Sequence, residues 1–321
     1  MSCYRHLTIE ERESLMLFRE KGDSIREISR KLNRSPSTIS RELRRNSGPY
    51  RASAAQERYK TARKKSVRHS ILANKELHQT VHFLLGYLWW SPEQIANRLR
   101  EEGTACISTS TIYRALDSNL LQDTLRYYLR IKYKTLGKSK KPSRLCFQKS
   151  ITLRPETANT REEAGHWEGD TIRGSNEKDS IVTLVDRHSR FLLCEKVPNR
   201  ESGTIRRAVV KLLIHSKLPV KSITFDQGSE FAEGAGMEQD LASNNLNVGV
   251  YFAHPHSPWE RPSNENTNGL IRQFVPKRSK VSQLTEQDIL SIMAKLNFRP
   301  RECLGWKTPY EVAFDHVLHL T

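Results

Sequence analysis

Along the first 120 or so residues, apolar side chains recur at spacings of three and four; from about residue 160 they alternate or run together. The chain thus passes from a helical texture to a strand-and-helix texture. Residues 4–46 predict three short helices. Thr8 and Glu11 make a capping box for the first, which runs to about Lys21 and stops at Gly22. Ser24 and Glu27 open the second, whose apolar stripe is Ile25, Ile28 and Leu32. Asn33-Arg34 turns the chain, Ser35 caps the third helix, and Pro36 takes the first helical position, where a missing N–H costs nothing. Ile39 and Leu43 then face inward, while Ser37, Thr38, Ser40, Arg41, Arg44 and Arg45 stay outside. This is helix-turn-helix spacing. Such an outer face suits the major groove of DNA, with hydroxyls and Arg41 at base edges or phosphates and Arg44 and Arg45 on the backbone. A small helical bundle with a solvated basic face is the plain alternative.

The same logic returns over residues 76–117. Residues 77–88 predict a core helix, and Ser91-Pro92-Glu93-Gln94 combines a cap, a first-position proline and a capping-box partner. Ile95 and Leu99 continue that apolar face. A further helix begins near Ser108, with Thr109, Thr111 and Arg114 as candidate DNA contacts beside Ile112, Tyr113 and Leu116. A second helix-turn-helix fits this pattern, and so does a packing module joining the two ends of the protein. Residues 51–70 and 130–149 are basic and poor in apolar side chains, and read as linkers or phosphate-tracking arms. The expected organisation is a helix-turn-helix domain at 1–52, a linker at 53–75 and a second helical domain at 76–120. A linker at 121–158 and an α/β domain at 159–321 complete it.

In that last part, residues 165–173 predict a strand, and 180–185 with 191–197 a hairpin around Asp186-Arg187-His188-Ser189-Arg190. A helix at 203–217, a strand at 220–225, a helix at 237–244, a strand at 248–252 and a helix at 263–274 follow. This order describes a mixed sheet with helices on both faces. Three carboxylates stand at element ends: Asp170 on the first strand, Asp226 after the fourth, and Glu265 in the first turn of the last helix. Brought to one point, they would need a cation, and oxygen-only ligands favour Mg²⁺ or Mn²⁺. Two such ions bridging a phosphodiester would activate the attacking oxygen and stabilise the leaving one. Taken singly, each is an ordinary surface carboxylate, Glu265 being favoured by the helix dipole. Glu168 shares the Asp170 side of its strand and could assist metal binding, with a helix-facing salt bridge as the stronger expectation. His166, His254 and His256 are weaker candidates for phosphate contact or proton transfer. Asn264, Asn268, Arg272 and Lys277, at helical intervals beside Glu265, are candidate DNA contacts; Trp167 and Trp259 read as packing residues.

Charge sharpens this division. The net charge is +17, and residues 1–150 hold 31 Lys and Arg against 14 Asp and Glu, whereas residues 151–321 hold 22 of each. The basic half can neutralise phosphates. Five cysteines with no C-x-x-C pair argue against a zinc site or a disulfide framework. The longest apolar run, residues 83–90, is too short to span a bilayer, and the N-terminus has no apolar signal core. The expectation is a soluble, cytoplasmic, nucleoid-associated protein.

Several stretches together make the chain resemble the insertion-sequence-thirty family of bacterial transposases over nearly its whole length. In the first half they are Leu7-Thr8-Ile9-Glu10-Glu11-Arg12, Ser24-Ile25-Arg26-Glu27-Ile28, Ser35-Pro36-Ser37-Thr38-Ile39-Ser40-Arg41-Glu42, Trp90-Ser91-Pro92-Glu93-Gln94-Ile95 and Thr111-Ile112-Tyr113. In the second half they are Gly165-His166-Trp167-Glu168-Gly169-Asp170, Thr224-Phe225-Asp226, Ser257-Pro258-Trp259, Asn264-Glu265-Asn266-Thr267-Asn268-Gly269-Leu270 and Gly305-Trp306-Lys307-Thr308-Pro309. The resemblance implies an RNase H-like DDE catalytic domain of the retroviral-integrase type, with the triad on Asp170, Asp226 and Glu265. It implies a two-metal site for Mg²⁺, with Mn²⁺ able to substitute, cleavage at the ends of a mobile element, and attack by the freed 3′-hydroxyl. The partners implied are double-stranded DNA, both terminal inverted repeats and target, and a second copy of the chain in a homodimer or higher oligomer on DNA. The family usually has 33 residues between the second Asp and the Glu, whereas Asp226 to Glu265 encloses 38. Asp226 to Glu260 does enclose 33, but the matching motif surrounds Glu265, and Pro262 leaves Glu260 outside the helix. The extra residues are expected in a surface segment at 232–247, and the family's Gln-Arg-Gly is here Glu260-Arg261-Pro262. A DNA-binding regulator with a decayed metal site, and an endonuclease without strand transfer, are the competing readings.

Overall fold

The structure, a computed structural model, describes residues 5–45, 48–66, 70–118, 120–121, 129, 149–175, 178–255 and 257–319. The chain divides into two compact units, Met1–Ser70 and Ile71–Thr321. The first holds α1 (Ile9–Glu20), α2 (Ile25–Lys31), α3 (Pro36–Arg44) and α4 (Ala52–Ser66). Both expected capping boxes form, Glu11 Oε2 accepting the Thr8 N–H at 2.8 Å and Glu27 Oε2 the Ser24 N–H at 2.8 Å. Leu15, Ile28 and Ile39 make the fully buried apolar centre. A buried cation extends this small core. Arg12 donates to Glu42 Oε1 at 2.7 Å, to Leu7 O at 2.7 Å and to Gln56 Oε1 at 2.6 Å. Gln56 lies on α4, so most of the segment expected as a linker at 53–75 is a helix packed on α1. Its docking rests on small Ala52 and Ala55 and on a buried arginine, and therefore leaves no apolar stripe to read.

The second unit opens with α5 (Lys75–Gly86), α6 (Pro92–Glu101), α7 (Thr109–Asp117) and the short α8 (Glu156–Thr160). Then come β1 (His166–Arg173), β2 (Ser180–Asp186), β3 (Leu192–Val197), α9 (Ser202–Ser216), β4 (Ser222–Phe225), α10 (Gly234–Ala242), β5 (Gly249–Phe252) and α11 (Pro262–Ile271). Two further helices, α12 (Glu286–Asn297) and α13 (Pro309–Phe314), lie beyond the expected elements, although Thr285 and Asp288 open α12 with a readable capping box. The sheet order is β3-β2-β1-β4-β5; β1–β2 and β2–β3 are antiparallel, and β4 is parallel to both β1 and β5. Alternation along β1 sends Trp167 into a core shared with α9 and α10, and Ile172 into one shared with α11 and α12. Helices thus cover both faces, which is why every residue of β2 is buried.

Two expected boundaries shift. The helices α5 to α7 form one cluster, but they are tied to the C-terminal segment rather than separate from it. Arg98 donates to Glu311 through Nη1 at 2.8 Å and Nη2 at 2.6 Å, Gln94 Nε2 donates to Pro300 O at 2.9 Å, and Trp89 stacks on Phe274 at 4.5 Å. Of the expected linker at 121–158, residues 122–128 and 130–148 lie outside the described residues. Residues 149–158 belong to the sheet domain, because the Phe252 N–H donates to Lys149 O at 2.9 Å and Ser150 bridges Phe252 on β5. The segment at 232–247 is likewise built in: it contains α10, whose Met237 and Leu241 are fully buried. Among the described residues no helix is long and apolar enough to cross a membrane.

Candidate active site and nucleic-acid interface

Asp170 and Asp226 meet because β1 and β4 are parallel neighbours, paired from His166↔Ser222 to Glu168↔Thr224. Gly169 permits the approach. A Cβ there would fall within 2.0 Å of the Phe225 ring, so any larger residue would push away the side chain that precedes Asp226. Arg261 then joins the two carboxylates. Its Nη2 donates to Asp226 Oδ2 at 3.2 Å; its Nη1 donates to Gly169 O at 3.0 Å and stands 3.9 Å from Asp170 Oδ2. Asp170 also accepts the Thr171 N–H at 2.7 Å and Asn268 Nδ2 at 3.0 Å, and Asp226 accepts the Gly228 N–H at 3.0 Å. Burial pushes the Asp170 carboxyl up to about 6; Arg261 pulls against that shift and Asp226 adds to it. Two adjacent carboxylates sharing one guanidinium are an oxygen-only donor pair with a charge deficit, so these two residues fit a divalent cation.

Glu265 does not join them. It is exposed on α11, and among the described residues no group of three His, Cys, Asp or Glu side chains is placed to hold a metal ion. The expected convergence of three carboxylates is thus absent from this arrangement, and the helix register explains why. Asn264 and Asn268, one turn apart, both face the sheet. The Asn264 N–H donates to Glu168 Oε2 at 2.8 Å and its Nδ2 to Glu168 O at 2.8 Å, while Thr183 Oγ1 lies 3.3 Å from Asn264 Oδ1 and 3.1 Å from Asn268 Oδ1. Glu168 is fully buried and pairs with Arg187, a salt bridge to the β2–β3 turn where one facing a helix was expected. It also caps α11 from across the fold, supplying an acceptor that the helix's own N-cap residue, Arg261, does not. With Asn264 held inward, Glu265 is turned about 100° round the helix. Arg261 meanwhile offsets only part of the aspartates' charge, and a third carboxylate beside them would add to the excess.

Other candidates are redistributed. Asn268 is bonded to Asp170 rather than offered outward, and half-buried Arg272 donates to Arg173 O at 3.0 Å and Val275 O at 3.3 Å. Lys277 is exposed beyond the helix. His166 is a satisfied interior histidine between Ser222 Oγ at 2.8 Å and Glu163 Oε1 at 2.9 Å. His254 is engaged by Glu260, and His256 lies outside the described residues. Trp167 is core, as expected, whereas Trp259 is 72% exposed. Arg261 stands in the sequence only as the middle of Glu260-Arg261-Pro262, and its tie to the aspartates is not legible there because those partners lie 35 and 91 positions away.

On the first unit, Ser37, Arg41, Arg44 and Arg45 are exposed on α3, and Thr38 and Ser40 are half-buried. Ser35 Oγ lies 2.9 Å from Thr38 Oγ1, and Arg41 Nε donates to Ser37 O at 3.1 Å. Arg45 also lines a cleft of about 670 Å³ with His6, Arg58, Tyr59 and Arg63. On α7, Arg114 is exposed with Thr109 and Thr111 half-buried; Ser108 Oγ lies 2.9 Å from Thr111 Oγ1, and Arg114 Nε donates to Ser110 O at 3.2 Å.

Two family models match the chain: "Helix-turn-helix domain" over residues 3–46 and "Integrase core domain" over residues 160–258. Among similar proteins, the transposase InsI for insertion sequence element IS30A of Escherichia coli (strain K12) is 36% identical, covering 96% of this chain and 83% of its own length. The transposase for IS1086 of Cupriavidus metallidurans is 33% identical over 96% of this chain and 94% of its own. That for IS4351 of Bacteroides fragilis is 33% identical over 96% and 95%. Likeness at this level, carried through both the helix-turn-helix and the integrase core, means that the chain belongs to the IS30 family of insertion-sequence transposases.

Proposed function

We propose that this protein is a DNA transposase that binds the terminal repeats of its element and catalyses strand cleavage and 3′-hydroxyl strand transfer. The observation that carries this reading is the Asp170–Asp226 pair, Asp170 within β1 and Asp226 just after β4, where the parallel pairing of the two strands ends, with Arg261 between them. The integrase core implies divalent-metal dependence; we assign Mg²⁺, with Mn²⁺ as substitute, in a two-ion site held by Asp170, Asp226 and Glu265. When bound, the ions neutralise charge at the phosphodiester and polarise it. Asp170 and Asp226 would hold the ions, and Glu265 would join them if its exposed side chain turned toward the aspartates. Arg261, beside both carboxylates, would be placed to pair with a scissile phosphate. The outer faces of α3 and α7 grip the terminal repeats, and synapsis of two ends calls for at least two copies of the chain.

The test incubates the protein with a labelled element end and Mg²⁺ or Mn²⁺. Wild type nicks and joins, whereas Asp226→Ala binds but does neither, a loss of at least about a thousandfold if the carboxylates supply the electrostatic contribution that dominates phosphoryl transfer. Normal cutting by Asp226→Ala overturns the assignment. Cutting without joining makes the protein an endonuclease, and binding without cutting by either protein makes it a regulator.

A further inference from the structure

Of the five tryptophans, Trp89, Trp90, Trp167 and Trp306 are at least partly covered, whereas Trp259 is 72% exposed. An apolar ring of this size left in water forgoes a large burial gain, so its exposure calls for a reason. It does not ride on a loose loop. The His254 N–H donates to Glu260 Oε2 at 2.7 Å, His254 Nδ1 lies 2.7 Å from Glu260 Oε1, and the Glu260 N–H returns to Ser257 O at 3.1 Å. The next residue, Arg261, is pinned to Asp226 and Gly169, and Ser263 accepts from Arg190 Nη1 at 2.9 Å. The short turn Pro258–Glu260 is therefore clasped on one side and bolted to the carboxylates on the other, with the indole held outward. Among the described residues its ring has no aromatic, cationic or hydrogen-bonding partner.

Resting on the transposase reading, we infer that Trp259 is a stacking platform for an unpaired DNA base beside the scissile phosphate. Two residues of chain span at most about 7 Å. Successive phosphates of a stacked strand are about 3.4 Å apart along the axis, so with side-chain reach added Trp259 stands within a few nucleotides of a phosphate held at Asp170, Asp226 and Arg261. An indole face offers no charge for a phosphate, but every base has a π-face to lay on it, and a paired base must leave its stack to do so. Arg261 and Arg190 supply the positive flank that holds the backbone. Trp259 thus lowers the cost of opening the duplex end at the cleavage position.

The experiment uses the full chain, Mg²⁺, and two labelled linear duplexes carrying the element end, one fully paired and one mismatched at the base pairs flanking the cleavage site. Trp259→Ala should cut the paired duplex about ten- to a hundredfold more slowly than wild type, and the mismatched duplex within about threefold of it. Trp259→Phe, which keeps a ring, should retain most activity on both. Equal slowing on both duplexes, or wild-type rates on the paired one, overturns the proposal. So does a Trp259→Ala protein whose only defect is weaker self-association in sedimentation without DNA, which would assign the ring to a second copy of the chain. Asp226→Ala, run in parallel, keeps the two readings apart: if it cuts, the transposase assignment has failed, whatever Trp259 does.

Discussion

The helices α3 and α7 present nearly the same surface from different mountings. Ser35-Pro36-Ser37-Thr38-Ile39-Ser40-Arg41 and Ser108-Thr109-Ser110-Thr111-Ile112-Tyr113-Arg114 share serine, serine, threonine, isoleucine and arginine at matching positions. Each capping serine lies 2.9 Å from its threonine hydroxyl, each arginine Nε reaches back to a serine carbonyl at 3.1 or 3.2 Å, and each isoleucine is fully buried. What differs is the base. α3 stands on Leu15, Ile28 and Ile39 with the buried Arg12–Glu42 pair, in a compact unit of its own. α7 belongs to a larger cluster inside the unit that carries the sheet, fastened through α6 by Arg98–Glu311. One of these helices is thus held by its own small core and the other in a common frame with the carboxylates. Similar surface chemistry can be mounted in two mechanical settings, and residues remote from that surface set which one.

The largest effects should come from those mountings. Replacing Glu311 by Gln leaves buried Arg98 paired with Glu102 alone, 2.6 Å from its Nε, and should cost up to about 3 kcal/mol, loosening α5–α7 from the C-terminal segment. Glu42→Gln should cost a similar amount, but in a unit with so small a core it should melt α1–α4 alone. Segment-resolved hydrogen exchange separates the two outcomes; loss of protection throughout the chain in both variants would break the comparison. The Glu311 effect carries a pH signature. Burial raises its carboxyl, but Arg98 and the Thr308 and Leu318 N–H groups outweigh that and hold it at about 2. A depressed folded-state value means a contribution complete above the ordinary 4.5 and lost as pH falls towards 2, so the stability gap between wild type and Glu311→Gln should close across that window.

Smaller effects should come from the outward side chains of α3 and α7. Arg41→Ala and Arg114→Ala should each weaken binding to the terminal repeat by about 1–3 kcal/mol with relaxed sequence preference if they read bases, or flatten the salt dependence by about one ion if they touch phosphate. Fluorescence anisotropy across a salt series distinguishes these. An Arg114→Ala protein that binds like wild type would reduce α7 to a packing element. The smallest effects belong to the caps. Ser35→Ala and Ser108→Ala should each lose about 1 kcal/mol, seen as equal small losses of local protection. A marked inequality would mean that one serine also contacts DNA.

Much of this architecture was legible along the chain. The boxes at Thr8–Glu11, Ser24–Glu27 and Ser91–Gln94 involve partners three residues apart, and the strand-and-helix alternation after residue 160 anticipated the sheet elements closely. Asp170 and Asp226 stood out along the chain as candidates, and the pairing of β1 with β4 puts them side by side. Other features left no local trace. α4 docks through Arg12 rather than through an apolar stripe, α11 is capped by Glu168 from another element, and Trp259 carries nothing in its neighbours to announce exposure. Glu265 was expected to point at the aspartates, but the choice of inward face on α11 belongs to Asn264 and Asn268.

The dividing line is range. Caps, turns, alternation and charge content act between residues a few positions apart, so the order of residues was enough to specify helices, strands, a basic half and a set of candidate carboxylates. The partners of those carboxylates depend on contacts such as Arg261 with Asp226, 35 positions apart, and Asn268 with Asp170, 98 apart. Those contacts exist only once β1 and β4 pair and α11 packs across them, because a side chain's neighbours at such distances are set by how whole elements stack.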